Sequence, residues 1–192
     1  MTASRRFKKL YIFVAICGIF LNVCENNALE IKPSDADTYN NRAIAYFNKG
    51  EYDKAISDFN KALEINPRHA DAYNYRGLAY FNKGEYNRAI SDFNKALEIN
   101  PRHADAYNNR GFAFFSKGEY DRAISDSNKA LEINPRDAVA YNNRAIAYYE
   151  TRNYYKAWDD VHKAQSLGFQ VRPNFLEALR KASSEKPRPA TR

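Results

Sequence analysis

Cysteine is nearly missing from this chain: among 192 residues there are only Cys17 and Cys24, both close to the N-terminus. No disulfide framework is available to the rest, so its fold must hold by packing alone, even in an oxidising compartment. Histidine is scarce as well. His69 and His103 occupy equivalent places one repeat apart and His162 stands alone, so no pair has the spacing of metal ligands. No serine sits in a nucleophile-elbow motif, and the glycines punctuate turns without gathering into a phosphate-cradling loop. These gaps argue against an enzyme and against a resident metal or cofactor.

Long apolar runs are also lacking, with one exception. Leu10 to Val23, interrupted only by Asn22, follows Arg5, Arg6, Lys8 and Lys9, the layout of an export signal. Its 14 residues would span roughly 21 Å as a helix, short of the ~30 Å hydrocarbon core. That favours a signal segment over a full membrane span. No clean small-x-small cleavage site follows, which leaves open an uncleaved anchor with its basic end in the cytoplasm. Leu21-Asn22-Val23-Cys24 also resembles a lipoprotein box, making Cys24 the candidate lipidation site. Residues 1–24 therefore read as a signal peptide or membrane anchor. The expected location is outside the cytoplasm, as a periplasmic, secreted or membrane-anchored protein.

Excess charge of one sign is absent from the middle of the chain. The net charge of +7 is concentrated at the ends: residues 36–171 hold 19 basic and 18 acidic side chains, residues 1–35 add +2 and residues 172–192 add +4. A near-neutral central surface argues against a phosphate-backbone ligand, so no nucleic-acid partner is expected.

What is present is a repeat. Ala70 to His103, ADAYNYRGLAYFNKGEYNRAISDFNKALEINPRH, recurs with a 34-residue period at 36–69, 104–137 and, more loosely, 138–171. Tyr73, Gly77, Tyr80 and Phe81 lie at helical spacing, as do Ala89, Phe93 and Ala96. Lys83-Gly84-Glu85 supplies a glycine to close the first helix and an acid beside the second, and Asn100-Pro101 ends the second. Each unit thus reads as two antiparallel helices, brought close by Gly77, Ala89 and Ala96. One such hairpin cannot cover its own apolar face, and a stack of them can.

The period and the recurring Tyr73, Arg76, Gly77, Tyr80, Ala89, Phe93 and Pro101 resemble the bacterial type of the tetratricopeptide repeat (TPR) family, with tyrosine for the family's tryptophan and arginine for its leucine. The resemblance covers residues 36–171. It implies an all-α fold, a right-handed superhelical solenoid of helix pairs, with a concave groove lined by the first helix of each unit.

The flanks complete the organisation. Residues 25–35 contain NNALEIKP, in phase with NKALEINP at 60–67; this is the end of a repeat whose first half is missing. Ala28, Leu29 and Ile31 are expected to cover the apolar end of the first full unit. Residues 172–182 read as a capping helix that opens on Asn174-Phe175-Leu176-Glu177, and 183–192 as a polar, disordered tail.

Carried over from the family, the groove positions are Asn40, Asn74, Asn108 and Asn142 at the fifth place and Asn41, Tyr75, Asn109 and Asn143 at the sixth. Ile44, Leu78, Phe112 and Ile146 follow at the ninth, and Phe47, Phe81, Phe115 and Tyr149 at the twelfth. An asparagine offers both a donor and an acceptor, so a ladder of them suits the backbone of an extended peptide. The same residues also fit a solvated helix start, and the apolar stripe also fits core between units. Arg42, Arg76, Arg110 and Arg144 recur with Asp58, Asp92, Asp126 and Asp160, a pattern that ties helices together, with an anion site as the other reading. Ser127 replaces the phenylalanine of Phe59 and Phe93, marking an underpacked place. The expected function is a scaffold or adaptor that binds a protein or peptide segment in the groove. End-to-end stacking of repeats into a structural assembly is the alternative, and the oligomeric state is left open.

Overall fold

In the computed structural model, residues 35–185 are described, and within them all regular structure is helical. The N-terminal signal, lipidation and half-repeat expectations fall outside those residues. The chain divides at Pro101 into two compact units.

The first unit holds α1 (Ala36–Asn48), α2 (Tyr52–Ile65), α3 (Ala70–Asn82) and α4 (Tyr86–Ile99). The second holds α5 (Ala104–Ser116), α6 (Tyr120–Ile133), α7 (Ala138–Glu150), α8 (Tyr154–Ser166) and α9 (Pro173–Glu185). Each first helix packs along its own second helix; α2 then packs on α3 and α6 on α7, while α1 touches α3 and α5 touches α7. First helices therefore form one layer of each unit and second helices the other. α9 closes the second unit against α8.

Local chemistry sets the boundaries. Gly84 has φ +79°, and its N–H donates to the Phe81 carbonyl at 2.9 Å while the Glu85 N–H reaches back to Tyr80 at 2.9 Å, a left-handed helix stop that glycine adopts without steric cost. Second helices end where the Asn66 N–H donates to Ala62 at 2.8 Å and Asn66 Oδ1 accepts from the Arg68 N–H at 3.1 Å, across the proline. First helices are capped by Asp35, His69 and Asp137, whose side chains accept from Thr38, Ala72 and Val139 respectively. The acids before the second helices act differently from ordinary caps. Glu85 and Glu119 accept no capping bond from a backbone N–H of their helices; Glu85 pairs with Arg88 at 2.7 Å and Glu119 with Lys117 at 2.8 Å.

The core lies at the seam of each helix pair. Phe59 and Phe93 are fully buried among Ala55, Ala62, Ala89 and Ala96. A Cβ on Gly77 would meet the Phe93 ring at 2.7 Å, so here glycine is what admits the aromatic side chain. Two expectations are corrected at the C-terminal end. The capping helix begins at Pro173, a residue suited to the first helical position because its missing N–H would have no partner there. Asn174 is accordingly inside the first turn and opens no capping box. The helix continues to Glu185, so Ser183 and Ser184 are helical and no part of a disordered tail; Trp158 Nε1 donates to Ser183 Oγ at 3.3 Å.

Candidate partner-binding face

Position within the heptad-like spacing of the first helices decides which predicted groove residues reach solvent. The fifth-place asparagines turn inward: Asn40, Asn74 and Asn142 are 7 %, 5 % and 8 % exposed, and only Asn108 is half-buried. Their neighbours at the sixth place turn outward, with Asn41 exposed and Tyr75, Asn109 and Asn143 half-buried. One residue along a helix rotates the side chain by about 100°, which separates the two rows. Asn40, Asn74 and Asn142 thus belong to packing, a correction to their assignment as ligand contacts.

The apolar rows divide similarly. Phe47 is buried at 4 % exposure and Ile146 at 8 %, so both are core. Phe47 is covered by Tyr52 at 5.6 Å and by the edge of Tyr75 at 6.2 Å, while Ile146 lies between buried Ala145 and Ala147. Ile44, Leu78, Phe81, Phe112, Phe115 and Tyr149 keep a half-exposed edge. These rings are held, not loose: Phe81 sits 5.3 Å from Tyr86, Phe115 5.3 Å from Tyr120, and Tyr149 5.8 Å from Tyr154. Each pair spans the turn of its hairpin. In the second unit Phe112 stacks on Phe115 at 6.5 Å, and the capping helix sets Phe175 edge-on to Tyr149 at 5.7 Å.

Tyr75 is the member of the sixth row that departs from asparagine. Its ring stacks on Phe59 at 6.3 Å, so the first unit uses this place to join α3 to α2. In the second unit the asparagines engage each other: Asn143 Nδ2 donates to Asn108 Oδ1 at 3.0 Å, linking α7 to α5.

The arginine–aspartate expectation is met in every full repeat. Arg42 reaches Asp58 at 2.6 and 2.8 Å, Arg76 reaches Asp92 at 2.7 and 2.7 Å, Arg110 reaches Asp126 at 2.8 and 2.7 Å, and Arg144 reaches Asp160 at 2.7 and 2.6 Å. These forked pairs fix the first helix against the second. The hydrogen bond that Arg110 donates to Asp126 raises the guanidinium pKa above its ordinary value, against the opposing effect of burial. Sequence reasoning missed a further partner. Arg76 Nη1 donates to Asn60 Oδ1 and Arg144 Nη1 to Asn128 Oδ1, each at 2.6 Å, so the arginine also ties its repeat to the one before. The recurrence of Asn60, Asn94 and Asn128 was the available signal.

Charge on this face is acidic where it is exposed. Asp37, Asp71 and Asp105 stand exposed in the first turns of α1, α3 and α5. The first helices contain no lysine, and each of their arginines is held by an aspartate. Glu150, at the end of α7, was also missed; burial pushes its carboxyl above the ordinary range. Among the described residues no cluster of histidine, cysteine or carboxylate side chains could hold a metal ion, and no helix is long and apolar enough to cross a membrane.

Family models described as tetratricopeptide repeat match residues 36–69 and 104–137, and 59–91 and 128–159; one described as TPR repeat matches 77–118. The chain belongs to the tetratricopeptide repeat family. None of these models describes a catalytic domain. A crystal structure of MamA superposes on this TPR chain with a TM-score of 0.67 at 28% identity, over 71% of this chain and 80% of that one. The first TPR of Spaghetti (RPAP3), solved with the HSP90 peptide SRMEEVD, gives 0.60 at 27%, over 63% and 96%. MamA from residue 41 onward, from Desulfovibrio magneticus RS-1, gives 0.71 at 22% over 81% and 88%, a likeness of fold alone. No match is found among curated protein sequences.

Proposed function

We propose that this TPR protein is an adaptor that binds an extended peptide or protein segment on the exposed face of its first helices. The observation that carries this is the occurrence, on the first helices of each unit, of exposed or half-buried asparagines together with half-exposed aromatic edges. Asn41, Asn109 and Asn143 supply donors and acceptors; Phe81, Phe115 and Tyr149 supply apolar area fixed by their hairpin partners. The RPAP3 repeat bound to an HSP90 peptide supports a peptide ligand for this fold. That peptide, SRMEEVD, is acidic, and here the exposed first-turn charges are Asp37, Asp71 and Asp105, with no lysine on the first helices. The ligand of this chain is therefore a segment without clustered carboxylates.

The basic residues before the apolar run Leu10–Val23 support a location outside the cytoplasm or at a membrane as part of this proposal. Fusing residues 1–35 to a reporter active only after export tests the location; a silent reporter retained in the cytosol overturns it. For binding, the test is capture by the full chain in its native compartment followed by titration of the captured segment. Saturable binding by a chain of monomeric size is expected. A concentration-dependent oligomer with no saturable ligand would favour end-to-end stacking instead.

A further inference from the structure

The thirteenth place of the first helix reads Asn48, Asn82, Ser116 and Glu150 in the four repeats, so only the fourth puts a charge there. Glu150 is half-buried at the end of α7. Its neighbours are aromatic. Its charge reaches Tyr120 of α6, whose ring lies 5.3 Å from Phe115, and Tyr149 beside it lies 5.8 Å from Tyr154 and 5.7 Å from Phe175. A carboxylate thus stands at the edge of the half-exposed aromatic strip of the second unit.

Among the described residues of that unit, no cation answers it. Arg144 is held by Asp160, Lys156 lies over the Tyr148 ring at 5.4 Å, and Arg152 is exposed at the turn. Burial raises the Glu150 carboxyl and no basic group lowers it. The first unit shows how a cation sits at such an edge: Lys83 Nζ meets Asp53 Oδ1 at 2.5 Å and Glu85 Oε1 at 3.2 Å, tying one hairpin turn to the next. In the fourth repeat Thr151 replaces that lysine and turns its hydroxyl back on the carbonyls of Ala147 and Tyr148, at 3.2 and 3.1 Å. Asp121, the counterpart of Asp53, stays exposed.

We propose that the second unit receives an arginine or lysine side chain of the bound segment, with its stem along the edges of Phe115 and Tyr149 and its head group at Glu150. This rests on the peptide-adaptor reading above and adds the chemistry of one ligand residue. The polar groups of the face call for a donor. Arg110 and Arg144 are held by Asp126 and Asp160, and Asn143 commits an amide hydrogen to Asn108 while keeping its Oδ1 as an acceptor. A basic head group carries donors only, aromatic rings attract it, and its methylene stem covers apolar surface. A half-buried carboxylate without a partner is a cost to the free chain that a bound cation relieves. One such pair is screened less than exposed charges are, so it adds only a shallow salt dependence.

Selection from a random heptapeptide library on the full-length chain in detergent micelles tests this. Selected peptides should share a lysine or arginine at one position, and its exchange for leucine should weaken binding about 10-fold or more. Against Glu150→Gln the same exchange should have no effect, and selection on Glu150→Lys should return aspartate or glutamate at that position. Misfolding does not mimic this, because Glu150→Gln removes a half-buried charge and should melt no lower than the wild type. Selected peptides with no shared basic position would overturn the proposal and leave the adaptor reading standing, as would a basic preference that survives Glu150→Gln. A library that yields no binder would overturn both. Full displacement of a selected peptide by an equal concentration of spermidine would make a free polyamine the occupant and equally overturn the proposal.

Discussion

Ser127 and Glu150 show how a single side chain can depart from its repeat and leave a measurable trace. Ser127 is 3 % exposed where Phe59 and Phe93 fill the same seam completely. Gly111 faces Ala123 O and Asp126 Cβ, each 3.2 Å from its missing Cβ, whereas Gly77 faces the Phe93 ring at 2.7 Å, so a ring at 127 requires α6 to yield. Where it does, Ser127→Phe should stabilise the chain by about 1–3 kcal/mol through apolar burial, seen as a higher urea midpoint with an unchanged slope. A lower midpoint would mean that the neighbours have closed over the space. Glu150 carries the opposite sign of effect. Burial raises its carboxyl above the ordinary 4.5, so the folded chain holds this proton more tightly than the unfolded chain does. The associated stability is present below 4.5 and is lost as the pH rises through the folded value. Glu150→Gln should raise the melting temperature near neutral pH and leave it unchanged in acid; calorimetry at the two pH values checks this.

Turns and inter-helix ties carry the logic of the elements. Gly50, Gly84 and Gly118 close their hairpins with φ of 78°, 79° and 82°; in the fourth repeat Arg152 does so with φ 60°. A non-glycine residue in that region costs roughly 1–2 kcal/mol. Arg152→Gly should recover up to about 1 kcal/mol of it after the entropy of glycine is counted, a difference readable in denaturant titration. The arginine–aspartate fork is the stronger tie. Arg76→Ala leaves Asp92, 5 % exposed, without its partner and breaks the tie to Asn60 of the preceding repeat. A loss of about 3 kcal/mol or more is expected, and Asp92→Asn with Arg76→Ala together should cost less than their sum in a double-mutant cycle. The pairing itself was legible in the sequence because both residues recur 16 apart in every unit. The capping helix was less so, since Pro173 announces a start as readily as Asn174 and only packing against α8 selects between them.

For the molecule as a whole, a fixed period reveals almost everything that repeats and little that depends on neighbours. Helix pairs, turns and seam residues follow from 34-residue recurrence. Exposure on the first helices does not, because the fifth and sixth places read as Asn-Asn in the first, third and fourth repeats, while the structure buries Asn40, Asn74 and Asn142 and leaves Asn41 exposed and Asn109 and Asn143 half-buried. This separation sharpens the test of the face. Asn41, Asn109 and Asn143 changed together to alanine should weaken ligand binding by about 1 kcal/mol or more per lost hydrogen bond, with helicity preserved because alanine is the better helix former. Asn142→Ala, at a buried place, should instead lower the melting temperature. Asn108→Ala tests a link between the two rows, since it releases Asn143 Nδ2 from its 3.0 Å bond; if that bond orients Asn143 toward the ligand, Asn108→Ala should weaken binding as much as Asn143→Ala does. Recognition by uncharged amides also predicts an affinity that changes little between low and high salt. Isothermal titration decides it: wild-type affinity in the triple variant removes the asparagines from recognition, and a steep salt dependence transfers the role to the exposed aspartates.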